Sequence, residues 1–167
     1  MQDARAARNN AAKNRGRRAE GRHTGFMPSL PESDMSLLVL TDFSSKESWQ
    51  QVWAEAQDEY EDGFQANVDP VDDPAFDGAT WQEVKAAMPM NDRHAAVLFI
   101  ADHVTLTSPE HPILAVDLSD SPIGEPTFRC IPSQLWGPDN NLNLANMDWH
   151  DFANAVDEDG IFRGFAR

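Results

Sequence analysis

The chain has 167 residues, 41% of them apolar and including nine Phe, five Trp and six Met, which is material for one hydrophobic core without a metal or disulfide as a staple. Cys130 is the only cysteine, which excludes an internal disulfide and fits a reducing compartment. The formal net charge of −15 conceals a division: seven basic and two acidic residues give the first 25 positions +5, whereas six basic and 26 acidic residues give the remainder −20.

The opening segment, with Arg5, Arg8, Lys13, Arg15, Arg17, Arg18 and Arg22, has no large apolar residue after Met1. It has nothing to bury that offsets the entropy of ordering itself, so residues 1–29 read as a basic disordered tail or a non-native extension. Met27 and Met35 stand just ahead of the first patterned segment and suit the second reading. Residues 30–167 read as one acidic globular domain.

In that domain SLLVLT (36–41) is a short apolar run ending at Asp42 and reads as a buried strand. Ser44 and Glu47 have the S-x-x-E capping spacing. Trp49, Val52, Trp53, Ala56 and Tyr60 then recur at helical intervals until Gly63, which predicts a helix with a buried aromatic face. Phe64, Ala66 and Val68 alternate with polar residues at the period of a strand. The acidic, proline-punctuated DPVDDPAFDG follows as a loop. Thr80 and Glu83 repeat the capping spacing ahead of a short helix through Trp81, Val84, Ala87 and Met88, ended by Pro89.

AAVLFIA (95–101) predicts a central strand covered on both faces, and PILAVDL (112–118) and TFRCI (127–131) predict two more, separated by the loops DHVTLTSPEH and SPIGEP. A short helical turn is expected at SQLW. Asp148 with Asp151 opens the last helix, whose Trp149, Phe152, Ala153 and Val156 form the buried stripe. The order β-α-β-α-β-β-β-α predicts an α/β (or α+β) fold, a mixed sheet of about five strands with three to four packed helices. The longest apolar run has seven residues, too short to cross a membrane, and the adjacent Arg17 and Arg18 are not followed by an apolar stretch. The expected location is the cytoplasm.

Two sets of residues suggest chemistry. If the first three strands are parallel, Asp42, then Asp69 with Asp72 and Asp73, then Asp102 with His103 lie beyond carboxyl ends of strands, where open α/β sheets place ligands. Such carboxylates suit Mg²⁺ and a divalent-metal enzyme. In the amide-rich WGPDNNLNLANMDW, Trp136, Asn140, Asn141, Asn143, Asn146 and Trp149 read either as a partner-binding surface or as turn caps. DPVDDPAFDG lacks the EF-hand spacing, and His103, Glu110 and His111 lack a zinc-site pattern. No G-x-S-x-G, P-loop or G-x-G-x-x-G is present. Cys130, mid-strand without a neighbouring base, reads as inert core.

The stretch FRCIPSQLWGPDNNLNLANMDWHDFANAVDEDGIFRGF, with LTDFS, FDGAT and LTSPEHPILAVDL, resembles a family of small acidic actinobacterial proteins catalogued only as a domain of unknown function. The likeness spans about Leu30 to Phe165, and it implies no activity, cofactor or catalytic residue. More loosely, MDWHDFANAV is similar to the aromatic helix that closes one class of immunity proteins. With a body at −20 and no complete catalytic motif, the expectation is a non-enzymatic protein-binding module, without cofactor, for a basic protein. Nucleic acid is expected to meet only the tail. The alternative is the Mg²⁺-dependent enzyme.

Overall fold

Strands β1 (Ser36–Leu40) and β3 (Val97–Ala101) are buried at every position, because β3 and all of β1 after Ser36 are apolar and layers cover both sides. The computed structural model describes residues 26–90 and 95–166, so the expected tail up to residue 25 lies outside the described residues. Around that pair a six-stranded mixed sheet is built in the order β2-β1-β3-β4-β5-β6, adding β2 (Val68–Val71), β4 (Ile113–Asp117), β5 (Thr127–Cys130) and β6 (Ile161–Phe162). Strands β1, β2 and β3 are parallel, β4 runs against β3 and β5, and β6 is parallel to β5.

Five α-helices are present among the described residues: α1 (Lys46–Gln57), α2 (Trp81–Ala86), α3 (His103–Thr107), α4 (Trp136–Asn143) and α5 (Trp149–Ala153). The two-residue alternation of the strands sorts the core into two layers. Leu38, Leu40, Phe99 and Ala115 meet Val52 of α1, Leu106 of α3, Leu142 of α4 and Phe152 of α5. Leu37, Val39, Leu98 and Ile100 meet Val84 of α2, Phe76 and Leu30 on the opposite side. The chain is the α/β architecture expected, with one more strand and more helices.

The differences have local causes. The cap of α1 is Ser45, whose side chain accepts from the Ser48 amide, and the helix stops at Gln57, short of Tyr60 and Gly63. Phe64 is exposed and the second strand begins only at Val68, so the alternation at 64–68 marks its approach and not the strand itself. Asp69-Pro70-Val71, expected as loop, belongs to that strand. Proline is tolerated there because β2 is an edge. Phe76, read as loop, is 1% exposed and plugs the α2 layer, held by a short 3-10 turn (Pro74–Phe76) that Asp73 caps. The capping boxes at Thr80/Glu83 and Asp148/Asp151 are both formed.

Candidate functional site

Strand β1 leads on through α1 to β2 on one side of it, and β3 leads on through α3 to β4 on the other, so the connections leaving these two neighbouring strands diverge along the sheet. That divergence is the topological switch point of an open parallel sheet. Here it forms a cleft of about 320 Å³ lined by Thr41, Asp42, Gly78, Asp102 and His103 among others. Asp42, just past β1, is reached by His103 from the start of α3: imidazole Nδ1 lies 2.7 Å from Oδ2. Oδ1 accepts from the Ser44 amide at 2.8 Å. Burial pushes the Asp42 carboxyl up, but its bonds to Ser44 and His103 outweigh that and hold it below the usual carboxylate range.

Asp102 is still more committed. Its two oxygens take Arg129 Nη1 and Nη2 at 2.9 and 2.7 Å, in the fork geometry of a bidentate pair, and it also caps α3 through the Thr105 amide at 3.1 Å. Burial opposes its ionisation, yet Arg129 and Thr105 together keep the carboxyl below its ordinary value. An imidazole braced by a carboxylate is the arrangement of a general base. Here the imidazole takes one oxygen of the Asp42 carboxylate and the Ser44 amide the other.

A second and larger depression, about 630 Å³, lies between the segment after α1, the start of α4 and the residues around β6. One wall is Phe64 stacked on Trp136, with ring centroids 4.3 Å apart and planes 11° from parallel. Phe162 and Phe165 form another, 5.0 Å apart and edge to face. Asp62 and Gly63, both with positive φ (68° and 77°), make the tight turn that brings Phe64 back to Tyr60, whose amide donates to the Phe64 carbonyl at 3.0 Å. The Tyr60 hydroxyl donates to the Glu55 carbonyl at 2.8 Å, and its acidity is weakened first by burial and then by the carboxylates of Asp58 and Glu55. Arg163, also lining this groove, is gripped by Glu110, Asp157 and Asp159 at 2.7 to 2.9 Å, which holds it protonated.

The family model described as a domain of unknown function (DUF6924) matches residues 35–165. The chain belongs to this family. A search of curated proteins finds no match.

Within this DUF6924 domain the expected carboxylates separate. Asp42 and Asp102 meet at the switch point, but Asp69 sits inside β2 opposite Leu37, where it accepts from Ser33 Oγ at 2.5 Å. Asp72 is exposed beyond that strand and Asp73 accepts from the Ala75 amide at 2.9 Å. Among the described residues no three His, Cys, Asp or Glu side chains gather in a way that could hold a metal ion. Cys130 is fully buried and its thiol is pushed far up by that burial.

The aromatic and amide set also divides. Trp136 and Asn141 line the large groove, with Asn141 Nδ2 donating to the Gly137 carbonyl at 2.9 Å. Asn143 is structural: it donates to Ser36 Oγ and Asp139 Oδ1 at 2.9 and 3.0 Å and accepts from the Ala96 amide at 2.7 Å. Asn140 faces Asn67, Asn146 is exposed after α4, and Trp149 lies over Phe128 with Nε1 donating to the Glu125 carbonyl at 2.8 Å. Phe64, Asp62 and Phe165 did not belong to the expected set. The Asp-Gly pair at 62–63 was the available signal, since two positive φ values there turn the chain back on itself.

Proposed function

We propose that this domain is a non-enzymatic protein-binding module of the cytoplasm, whose acidic surface meets a basic protein as immunity or regulatory proteins do. The observation that carries the reading is how three of the six cations of the −20 body are used. Arg129 is paired with Asp102, Arg163 is surrounded by three carboxylates, and Lys85 Nζ donates to the carbonyls of Asp117 and Ser119 at 2.7 and 3.1 Å. Cations tied to internal acceptors leave an acidic field over the surface, which accelerates and selects encounters with positive partners.

The test is crosslinking capture from the source organism at low salt, followed by reconstitution with the purified captured protein. A basic partner is expected, with an association rate that falls steeply as salt rises. A reconstituted partner that is acidic, or a rate indifferent to salt, overturns the reading.

The alternative, a Mg²⁺-dependent enzyme, has one observation in its favour: Asp42 and Asp102 share the mouth of the switch-point cleft. A cation there must compete with Arg129 for Asp102. Titrating Mg²⁺, Mn²⁺ or Ca²⁺ against melting temperature decides it, because a ligand bound only by the native state raises that temperature.

A further inference from the structure

We propose that the groove walled by Phe64, Trp136 and Phe165 is the anchor site for the basic partner, and that it takes an aromatic side chain flanked in sequence by lysine or arginine. This rests on the basic-partner reading and adds where the partner binds and by what chemistry.

Three features support it. The first is unsatisfied aromatic surface. Phe64 is 44% and Phe165 48% exposed, while the rings they contact are more deeply set, so the walls are braced from behind and open in front. Half-exposed rings in a depression of about 630 Å³ offer stacking and edge contacts to a further aromatic ring, and such rings are the usual anchors of protein interfaces.

The second is rigidity. The turn at Asp62-Gly63 sets Phe64 on Trp136, and across the groove the Phe165 ring is packed against Phe152 and Phe162, with centroids 5.3 and 5.0 Å away. A preformed site loses less side-chain freedom on binding, so more of the contact energy appears as affinity.

The third is charge. Asp62 stands in the lining, and the positive charge of Arg163 is outnumbered three to one by its own partners, Glu110, Asp157 and Asp159. The field at the rim is therefore negative although the walls are apolar. Cationic residues either side of an inserted ring meet carboxylates and ring faces, whereas a second copy of this −20 body brings like charge to like.

The experiment uses three short fluorescein-labelled peptides with the full chain, read by anisotropy at low salt. The first has a tryptophan flanked by lysine and arginine, the second replaces that tryptophan by serine, and the third keeps tryptophan but replaces the cations by glutamate. The first is expected to bind about tenfold or more tighter than either control. Phe64→Ala should reduce it to the level of the serine peptide while leaving the serine peptide unchanged. Phe64 is an exposed loop residue, so near-ultraviolet circular dichroism should show the variant folded. Asp62→Asn, which keeps a residue tolerant of the left-handed backbone, should weaken the first peptide and spare the third.

Equal binding of the tryptophan and serine basic peptides overturns the anchor site and leaves the basic-partner reading standing. Equal binding of the basic and acidic tryptophan peptides overturns the charge requirement. If the serine basic peptide binds no better than the acidic peptide and the tryptophan basic peptide does not bind either, the basic-partner reading fails with it.

Discussion

The switch-point cleft and the aromatic groove are made of opposite materials. At the switch point the carboxylates already have partners: Asp102 has Arg129, and Asp42 has the His103 imidazole and the Ser44 amide. In the groove the side chains are aromatic and answered from one side only. Position in an α/β sheet favours the first as a ligand site, but unsatisfied surface favours the second. The contrast teaches that topology marks where a site can be, and the state of the side chains decides whether anything remains to bind.

The largest way to break the contrast is to remove the ring that backs the groove's Phe162 and Phe165. Phe152 is fully buried, with its ring 5.3 Å from both Phe162 and Phe165 and 6.3 Å from Phe128. Phe152→Ala is expected to cost about 3–5 kcal/mol in urea unfolding and to abolish the tryptophan-peptide preference. The imidazole resonances of His103 should stay where they are. If they move as well, the two depressions are one coupled unit.

The complementary change, Asp102→Ala, strands Arg129 with one remaining carbonyl acceptor, Pro112, and uncaps α3. Because the two charged side chains are 20% and 26% exposed, solvent softens the loss to about 2–3 kcal/mol. The groove peptides should bind as before.

How far these regions were legible in the sequence follows the same divide. Apolar runs and capping boxes are local signals, so β1, β3, β4, β5, α2 and the start of α5 stood out, and with them the placement of Asp42 and Asp102 beyond parallel strands. Helix α4 carries no apolar stripe. Its Gly137, Pro138 and Asp139 are buried through tertiary contacts, with Asp139 accepting from the Asn67 amide ahead of β2 and Asn143 donating to Ser36 of β1, which no window of neighbours reveals. Strand β6 has two residues and exists only because β5 offers it an edge. Helix α3 has five, and Asp102 starts it while also binding Arg129, a partner 27 residues away. The groove joins Phe64 to Trp136 and Phe165 across the whole fold, so its parts were visible and their meeting was not.

A smaller effect distinguishes the regions by the sign of their pH dependence. Asp42 and Asp102 have carboxyls held below the ordinary value of 3.8, so their stabilisation is complete above that value and is lost as pH falls through the lower folded values. Asp139 of α4 is the reverse. It is 1% exposed, and burial pushes its carboxyl up against the pull of the Asn67 amide, Ser36 and Asn143. Its contribution is complete below 3.8 and is lost as pH rises through the higher folded value. The stability of the native sequence relative to Asp139→Asn should therefore decline from the acid end towards neutrality. Relative to Asp102→Asn it should do the opposite, growing as pH rises out of the acid range. Unfolding both pairs in urea at a series of pH values checks the signs, and equal slopes would remove the distinction.

The smallest change sharpens the contrast from the backbone. After α4 the chain closes with the Ala145 amide donating to the Leu142 carbonyl at 3.2 Å and the Asn146 amide to the Asn141 carbonyl at 2.9 Å, the paired bonds of a Schellman motif. That motif places its turning residue in the left-handed region, and here the residue is alanine, at φ 54°. A Cβ in that conformation meets its own backbone at a cost of about 1–2 kcal/mol, while glycine loses more freedom on folding, by about 0.5–1 kcal/mol. The strain is the larger of the two, so Ala145→Gly should stabilise the domain by about 0.5–1 kcal/mol, seen as a raised urea midpoint with an unchanged slope. Since Ala145 is exposed and Trp136 lies at the other end of the helix, tryptophan-peptide binding should not change. A gain in stability that also tightens the peptide would mean that α4 is a moving wall of the groove, and its rigidity would then have to be attributed to the cap as well as to the turn at Asp62-Gly63.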